Sequence, residues 1–256
     1  MFAVLKRELG SYFKSITAYL TASFLVLIGG FLFYWRVMFY AEQSQVMAAA
    51  PPGMAMKLNF NTAILASLPG TVVFVLLFFV VPFMTMHLFA EEKKNGTLEV
   101  LFTYPLTEID LIFGKYFSCL LAIIPGIIMT AIFPLFLRAK MPNMDMGYLI
   151  SGYFGVFLAC LAGISIGIWA SSITDKQIIA CALTIFVIMA FWLIGAPANI
   201  IGGDIKSVLD ALSFANNMET FTKGAIDLNS VVYFLGISVI FLYFTYCNLA
   251  SRNWRG

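Results

Sequence analysis

Gly163-Ile164-Ser165-Ile166-Gly167 has the G-x-S-x-G spacing of a serine nucleophile. That chemistry needs the serine on a sharp strand-to-helix turn, with a base in reach to take its proton. Here the five residues lie inside an unbroken apolar run. The chain has one His, His87, and it belongs to a different run. The last apolar run, where an intramembrane protease of this layout would hold its base, offers Tyr243, Tyr246 and Asn248. We therefore set serine hydrolysis aside. Gly114-Lys115 has the end of a phosphate loop but not its beginning. The pattern G-x-x-x-x-G-K-[ST] needs Gly at position 109 and Ser or Thr at 116, where Ile109 and Tyr116 stand.

The remaining candidates for chemistry are few. A single His does not make a metal site. Cys119, Cys160, Cys181 and Cys247 all fall in apolar runs without C-x-x-C spacing, so they read as small buried hydrophobes. Asn95-Gly96-Thr97 matches a glycosylation sequon, but on the side argued below to be cytoplasmic. No ionisable group sits at the centre of an apolar run, which argues against a proton relay or an ion-coupled carrier. No carbonyl-filter sequence is present either. The expectation is a chain that is not an enzyme, holds no metal and binds no cofactor of its own.

What the chain does carry is apolar length. Of 256 residues, 61% are hydrophobic and 11% charged, against about 25% charge in an ordinary soluble domain. A bilayer core needs roughly 20 apolar residues per helix. Six stretches qualify, at about 17–39, 68–90, 111–137, 148–172, 178–200 and 229–250. The fold class expected is all-α and integral to the membrane, a single unit over 1–256. Net charge is +2, so nothing points to nucleic acid. Residues 1–15 place Phe2, Leu5, Leu9 and Phe13 at helical spacing, with Lys6, Arg7, Glu8 and Lys14 elsewhere. That pattern suits a helix lying in the interface. The half-apolar segment 202–228 suits short helices near the outer surface. With the N-terminus cytoplasmic, nine Lys and Arg fall inside and six outside, and six spans return the C-terminus to the same side.

On the fourth stretch Ala159, Gly163, Gly167 and Ser171 stand four apart. Small residues at that spacing let two helix backbones approach closely. The stripe does not say whether the partner helix belongs to this chain or to a second copy. Pro82, Pro125, Pro134 and Pro197 interrupt other stretches and favour kinks there.

The most informative segment is Glu91–Tyr116, EEKKNGTLEVLFTYPLTEIDLIFGKY. Charges at Glu91–Lys94 end the second stretch. Asn95-Gly96 suits a helix stop in the left-handed region. Thr97 can cap a new helix, which Leu98, Val100, Leu101 and Phe102 make apolar. Tyr104-Pro105 ends it, and Thr107 with Asp110 has the spacing of a capping box for the third stretch. A helix of about two turns, stopped at both ends, is a rigid knob whose apolar face needs a cover.

This segment resembles the E-x-x-x-G-T-[LI]-E-x-L-x-x-x-P-[LV] pattern of ABC-2-type transporter permeases, followed by their [LI]-x-x-G-K. Glu92, Gly96, Thr97, Leu98, Glu99, Leu101, Pro105, Leu106, Gly114 and Lys115 carry the match. The family often has Arg in the charged run before Gly-Thr, where this chain has Lys93-Lys94. The basic N-terminal helix and the six stretches extend the resemblance. Phe221–Trp254 is similar to the ending of permeases of gliding motility and of copper-enzyme maturation. The resemblance implies a permease subunit of an exporter in a bacterial inner membrane, with both termini cytoplasmic. It implies that 91–110 forms a cytoplasmic coupling segment for a separate ABC ATPase, which would hold ATP and Mg. It implies that Lys6 and Arg7 share in that contact, and that a second permease copy or a related permease completes the pathway. The substrate is not readable. The alternatives are a membrane scaffold of a secretion or motility machine, then a channel or secondary carrier.

Overall fold

The computed structural model describes residues 2–14, 16–48, 65, 67–97, 107–138, 145–197 and 203–253. These residues form helices and turns, with no strand among them. In chain order the helices are α1 (Phe2–Lys14), α2 (Ile16–Ala48) and α3 (Ser67–Lys94). They continue with α4 (Glu108–Arg138), α5 (Met146–Ile173) and α6 (Gln177–Leu193). The last are α7 (Gly203–Leu212), α8 (Phe214–Thr222) and α9 (Leu228–Asn253).

Five helices are long and apolar enough to cross a membrane, on α2, α3, α4, α5 and α9. α6 is apolar but has 17 residues, about 25 Å of helix. It stops at Leu193, not near 200 as the hydropathy suggests. Gly195 follows, and a Cβ there would meet Ser213 Oγ at 2.6 Å. Pro197 further disfavours helical backbone at the residue before it. α2 errs the other way and runs on to Ala48. Its polar tail, Ala41-Glu42-Gln43, contains good helix formers.

Side-chain pairs fix the directions. Along α2 and α4, Leu25 lies against Gly126, Gly29 against Thr130 and Gly30 against Phe133, so the two run parallel. Thr21 bonds Met84 and Arg36 bonds Thr71, so α3 runs against α2. Pro69 meets Gly152 and Thr85 meets Gly167, which sets α5 parallel to α3. Gln177 reaches Glu91 while Trp192 packs on Phe74, which sets α6 against α3. Trp169 packs on Phe241 and Asn248 bonds Ser172, so α9 runs with α5. Successive long helices thus alternate in direction. One end of the bundle gathers α1, the end of α3 and the start of α4. The other gathers the end of α2, the start of α3, α7 and α8.

α5 is the centre, with 18 of its 28 residues buried. A helix apolar all round belongs in a core. The small-residue stripe faces α3 of the same chain. A Cβ on Gly163 would lie 2.5 Å from Leu77, and one on Gly167 would lie 2.1 Å from Thr85 Oγ1. Ala159 and Ser171 are fully buried.

α3 is not regular. Leu76–Val80 form a π turn, followed by the helical segment Val81–Thr85 with Pro82 in its first turn. The proline has no N–H to offer the preceding turn, and the π turn lies at that step. α3 breaks again at residues 86–89 before resuming at Ala90–Lys94. Pro125 and Pro134 lie inside α4 without ending it. The half-apolar segment yields α7 and α8. α8 buries Phe214, Asn217, Met218 and Phe221 in the bundle end, so it is more deeply set than a surface helix.

Candidate functional site

α4 begins at the capping box read from the sequence. The Thr107 hydroxyl donates to Asp110 Oδ2 at 2.7 Å and accepts from the Asp110 N–H at 3.2 Å. Two turns on, Gly114 lets α1 lie against α4. A Cβ at 114 would sit 2.8 Å from Val4 Cγ1 and 3.6 Å from the Leu5 backbone nitrogen. Lys115 follows and is 1% exposed.

Its ammonium has three hydrogens and three acceptors. Lys115 Nζ donates to the Leu88 carbonyl at 2.7 Å, to Glu92 Oε1 at 2.8 Å and to Glu8 Oε1 at 3.3 Å. It also stands 5.2 Å from the centre of the Phe89 ring. Arg7 adds bonds to Glu8 Oε1 at 2.7 Å and Glu92 Oε1 at 3.3 Å. Two cations and two carboxylates thus join α1, the end of α3 and the start of α4. Burial alone would push the Glu8 carboxyl up; Lys115 and then Arg7 outweigh it and hold it below its usual 4.5. The bond to Glu8 holds the Arg7 guanidinium above its usual value, against the effect of burial. Burial also pushes up the Tyr12 phenol, which donates to the Met84 carbonyl at 3.1 Å.

The end of α3 is fixed on its other side by α5. Ser171 Oγ accepts from the N–H groups of Phe89 and Ala90, each at 3.0 Å, and donates to the Met86 carbonyl at 3.1 Å. One hydroxyl therefore replaces helix bonds that the 86–89 break removes. Lys93 Nζ donates to the Ser172 carbonyl, which also accepts from Asn248. Gly96 then turns the chain with φ +68°, where a residue without Cβ is favoured. The Thr97 hydroxyl donates back to the Glu92 carbonyl at 3.2 Å, closing this turn.

Between α1 and the end of α3 lies a cleft of roughly 400 Å³ bordered by Glu8, His87, Glu91, Glu92, Asn95 and Thr97. Glu92 Oε2 is shielded from solvent and has no hydrogen-bond partner among the described residues. His87 packs edge-on against Tyr12 at 5.6 Å. Among the described residues no group of three or more His, Cys, Asp or Glu could hold a metal ion. Ser165 is buried and donates to the Ala162 carbonyl of its own helix. The arrangement offers a rigid ionic joint.

Of the residues singled out in the sequence, the structure brings Arg7, Glu92, Gly96 and Thr97 together at this end and leaves Lys6 exposed. Leu98, Glu99, Leu101 and Pro105 lie outside the described residues. Glu8 was not among the candidates, and Lys115 entered only as a motif letter. The signal for both was available in part, as a lone cation just inside an apolar helix and a lone acid on the facing basic one.

The described helices and the site define a helical, multi-pass membrane protein with a buried ionic cluster at one end. Its family follows from comparison: the description "ABC-2 family transporter protein" matches residues 2–253, and the chain belongs to that family. A search of curated proteins finds no match.

Proposed function

We propose that this chain is the membrane permease subunit of an ATP-driven ABC-2 exporter. A separate ABC ATPase would hold ATP and Mg and carry out hydrolysis. α6 acts as a sixth, short span, and the α1 end faces the cytoplasm of a bacterial cell. Two permease copies, or this chain and a related one, form the pathway. The exposed apolar side of α2, including Leu27 and Phe31, faces lipid or that second copy.

The observation that supports the reading is the Lys115 joint. Segment 97–105 begins five residues after Glu92, past the end of α3, and ends ten residues before Lys115, ahead of the start of α4. A push on its apolar residues by a closing ATPase therefore acts on both anchors of one ionic cluster. The same cluster holds α1, so α1, α3 and α4 move together. The narrower assignment, to permeases of gliding motility or copper-enzyme maturation, rests on the 221–254 run.

The test is co-purification with a candidate ABC ATPase, followed by an ATPase assay. Leu101→Asp and Glu99→Lys should weaken association and lower permease-dependent hydrolysis. Unchanged association and hydrolysis in both variants would remove the coupling role.

A further inference from the structure

At the opposite end of the bundle a second charged group, Arg36, has no counter-ion among the described residues. Arg36 lies within the apolar span Tyr19–Gln45. Its one hydrogen bond among the described residues is to Thr71 Oγ1, at 3.4 Å. The Thr71 hydroxyl in turn donates to the Ser67 carbonyl at 2.9 Å. No described carboxylate lies within ion-pair distance of Arg36. Most of the N–H donors of this always-charged fork therefore have no acceptor among the described residues. Those donors are open to an anionic partner at the level of the membrane surface.

Arg36 borders an open groove of roughly 450 Å³ between α2, α3, α6 and α8. That volume falls in the usual range of small-ligand sites, roughly 300–1,000 Å³. Phe74, Trp192 and Met218 supply apolar wall, and Asn216 supplies a polar group. The one acidic residue on the lining is Glu219, whose carboxylate is taken by Lys223 at 2.8 Å. The level is also informative. Tyr34 and Trp35 point outward beside Arg36, and Trp35 stacks on Phe39. Outward aromatic rings of this kind sit at the headgroup level of a bilayer.

We infer that this groove binds the headgroup of an anionic phospholipid, with its phosphate on Arg36 and its glycerol end against Phe74 and Trp192. The guanidinium fork matches phosphate oxygens, the mixed walls match an amphiphile, and the depth matches where phospholipid phosphates lie. The inference does not depend on the coupling reading, because its readout is lipid binding and not hydrolysis.

The test is native mass spectrometry of the full chain in neutral detergent. The protein is titrated separately with phosphatidylglycerol, phosphatidylcholine and inorganic phosphate. The expected result is a one-to-one phosphatidylglycerol adduct at least about tenfold tighter than the phosphatidylcholine adduct. Arg36→Gln removes that preference. Lys206→Gln, which alters an exposed cation outside the groove lining, keeps it. Glu219→Gln removes the one acid on the lining and tightens the adduct about twofold, a direction that misfolding does not produce. Equal binding of the two lipids, or a preference that survives Arg36→Gln, would overturn the inference. Inorganic phosphate that binds as tightly as the lipid would reduce the site to one for a bare anion and overturn the lipid assignment. A weaker adduct in Glu219→Gln would overturn the charge argument.

Discussion

Replacing Lys115 by Met keeps the length of the side chain and deletes its charge. Glu8 and Glu92 would then share a largely buried space with only Arg7 to balance them. Breaking a buried pair from one side costs about 3–5 kcal/mol, and the partly exposed Arg7 offsets some of that. We expect Lys115→Met to lower the thermal unfolding midpoint of the detergent-purified chain by more than any substitution of Lys6, which is exposed. Arg at 115 should not restore it, because a planar fork cannot reproduce three bonds from one nitrogen. The same joint sets an acid limit. The folded-state pKa of Glu8 is depressed below its usual 4.5, so its contribution is fully present above about that pH. It is lost as pH falls through the lower folded value. The difference in unfolding midpoint between the native chain and Glu8→Gln should be flat from neutral pH down to about 4.5 and shrink below it. A difference that grows on acidification would contradict the assignment.

Between elements the decisive contact is that of α5 with α3, and two of its residues make separable predictions. Ser171→Ala leaves the buried N–H groups of Phe89 and Ala90 without their acceptor, at a cost of about 1–3 kcal/mol. Ser165→Ala loses only a bond within its own helix and should cost less than about 1 kcal/mol. Gly167→Ala forces a methyl into Thr85 and should cost about 1–3 kcal/mol. Gly236→Ala on α9 meets nothing within 4 Å and should be neutral or stabilising by up to about 1 kcal/mol. Unfolding midpoints of the four variants check the set, and equal effects at 165 and 171 would show that the bridge across the break is not needed. This contact also shows what was legible in the chain. The four-residue spacing of Ala159, Gly163, Gly167 and Ser171 announces a close helix contact, yet spacing within one helix carries no information about its partner. The helix stop at Gly96 and the cap at Thr107 were readable because both are local. The Lys115 joint was not, since its acceptors lie 107, 27 and 23 positions away in sequence. The π turn in α3 left no mark either, because hydropathy is blind to a one-residue change in winding.

Across the whole molecule, the alternation of α2 through α6 and α9 makes a topological statement that can be measured. α1, the end of α3 and the start of α4 share one end of the bundle, while the loop between α4 and α5 belongs to the other. If the chain spans a bilayer with this packing, residues 100 and 143 open to opposite sides. The experiment replaces Cys119, Cys160, Cys181 and Cys247 by Ala and introduces Val100→Cys or Asn143→Cys singly. Intact cells or sealed, oriented vesicles are then treated with a membrane-impermeant thiol reagent. Position 143 should label from outside intact cells, and position 100 only from inside-out vesicles. The positive-inside bias, nine cations against six, sets that sign, and it is a modest bias. The packing by itself requires only that the two positions differ. Labelling of both from one side would break the bundle order. Labelling with the sides exchanged would keep the order and remove residues 97–105 from the reach of any cytoplasmic ATPase. The ionic joint would then be left as a structural clasp with nothing to push on it.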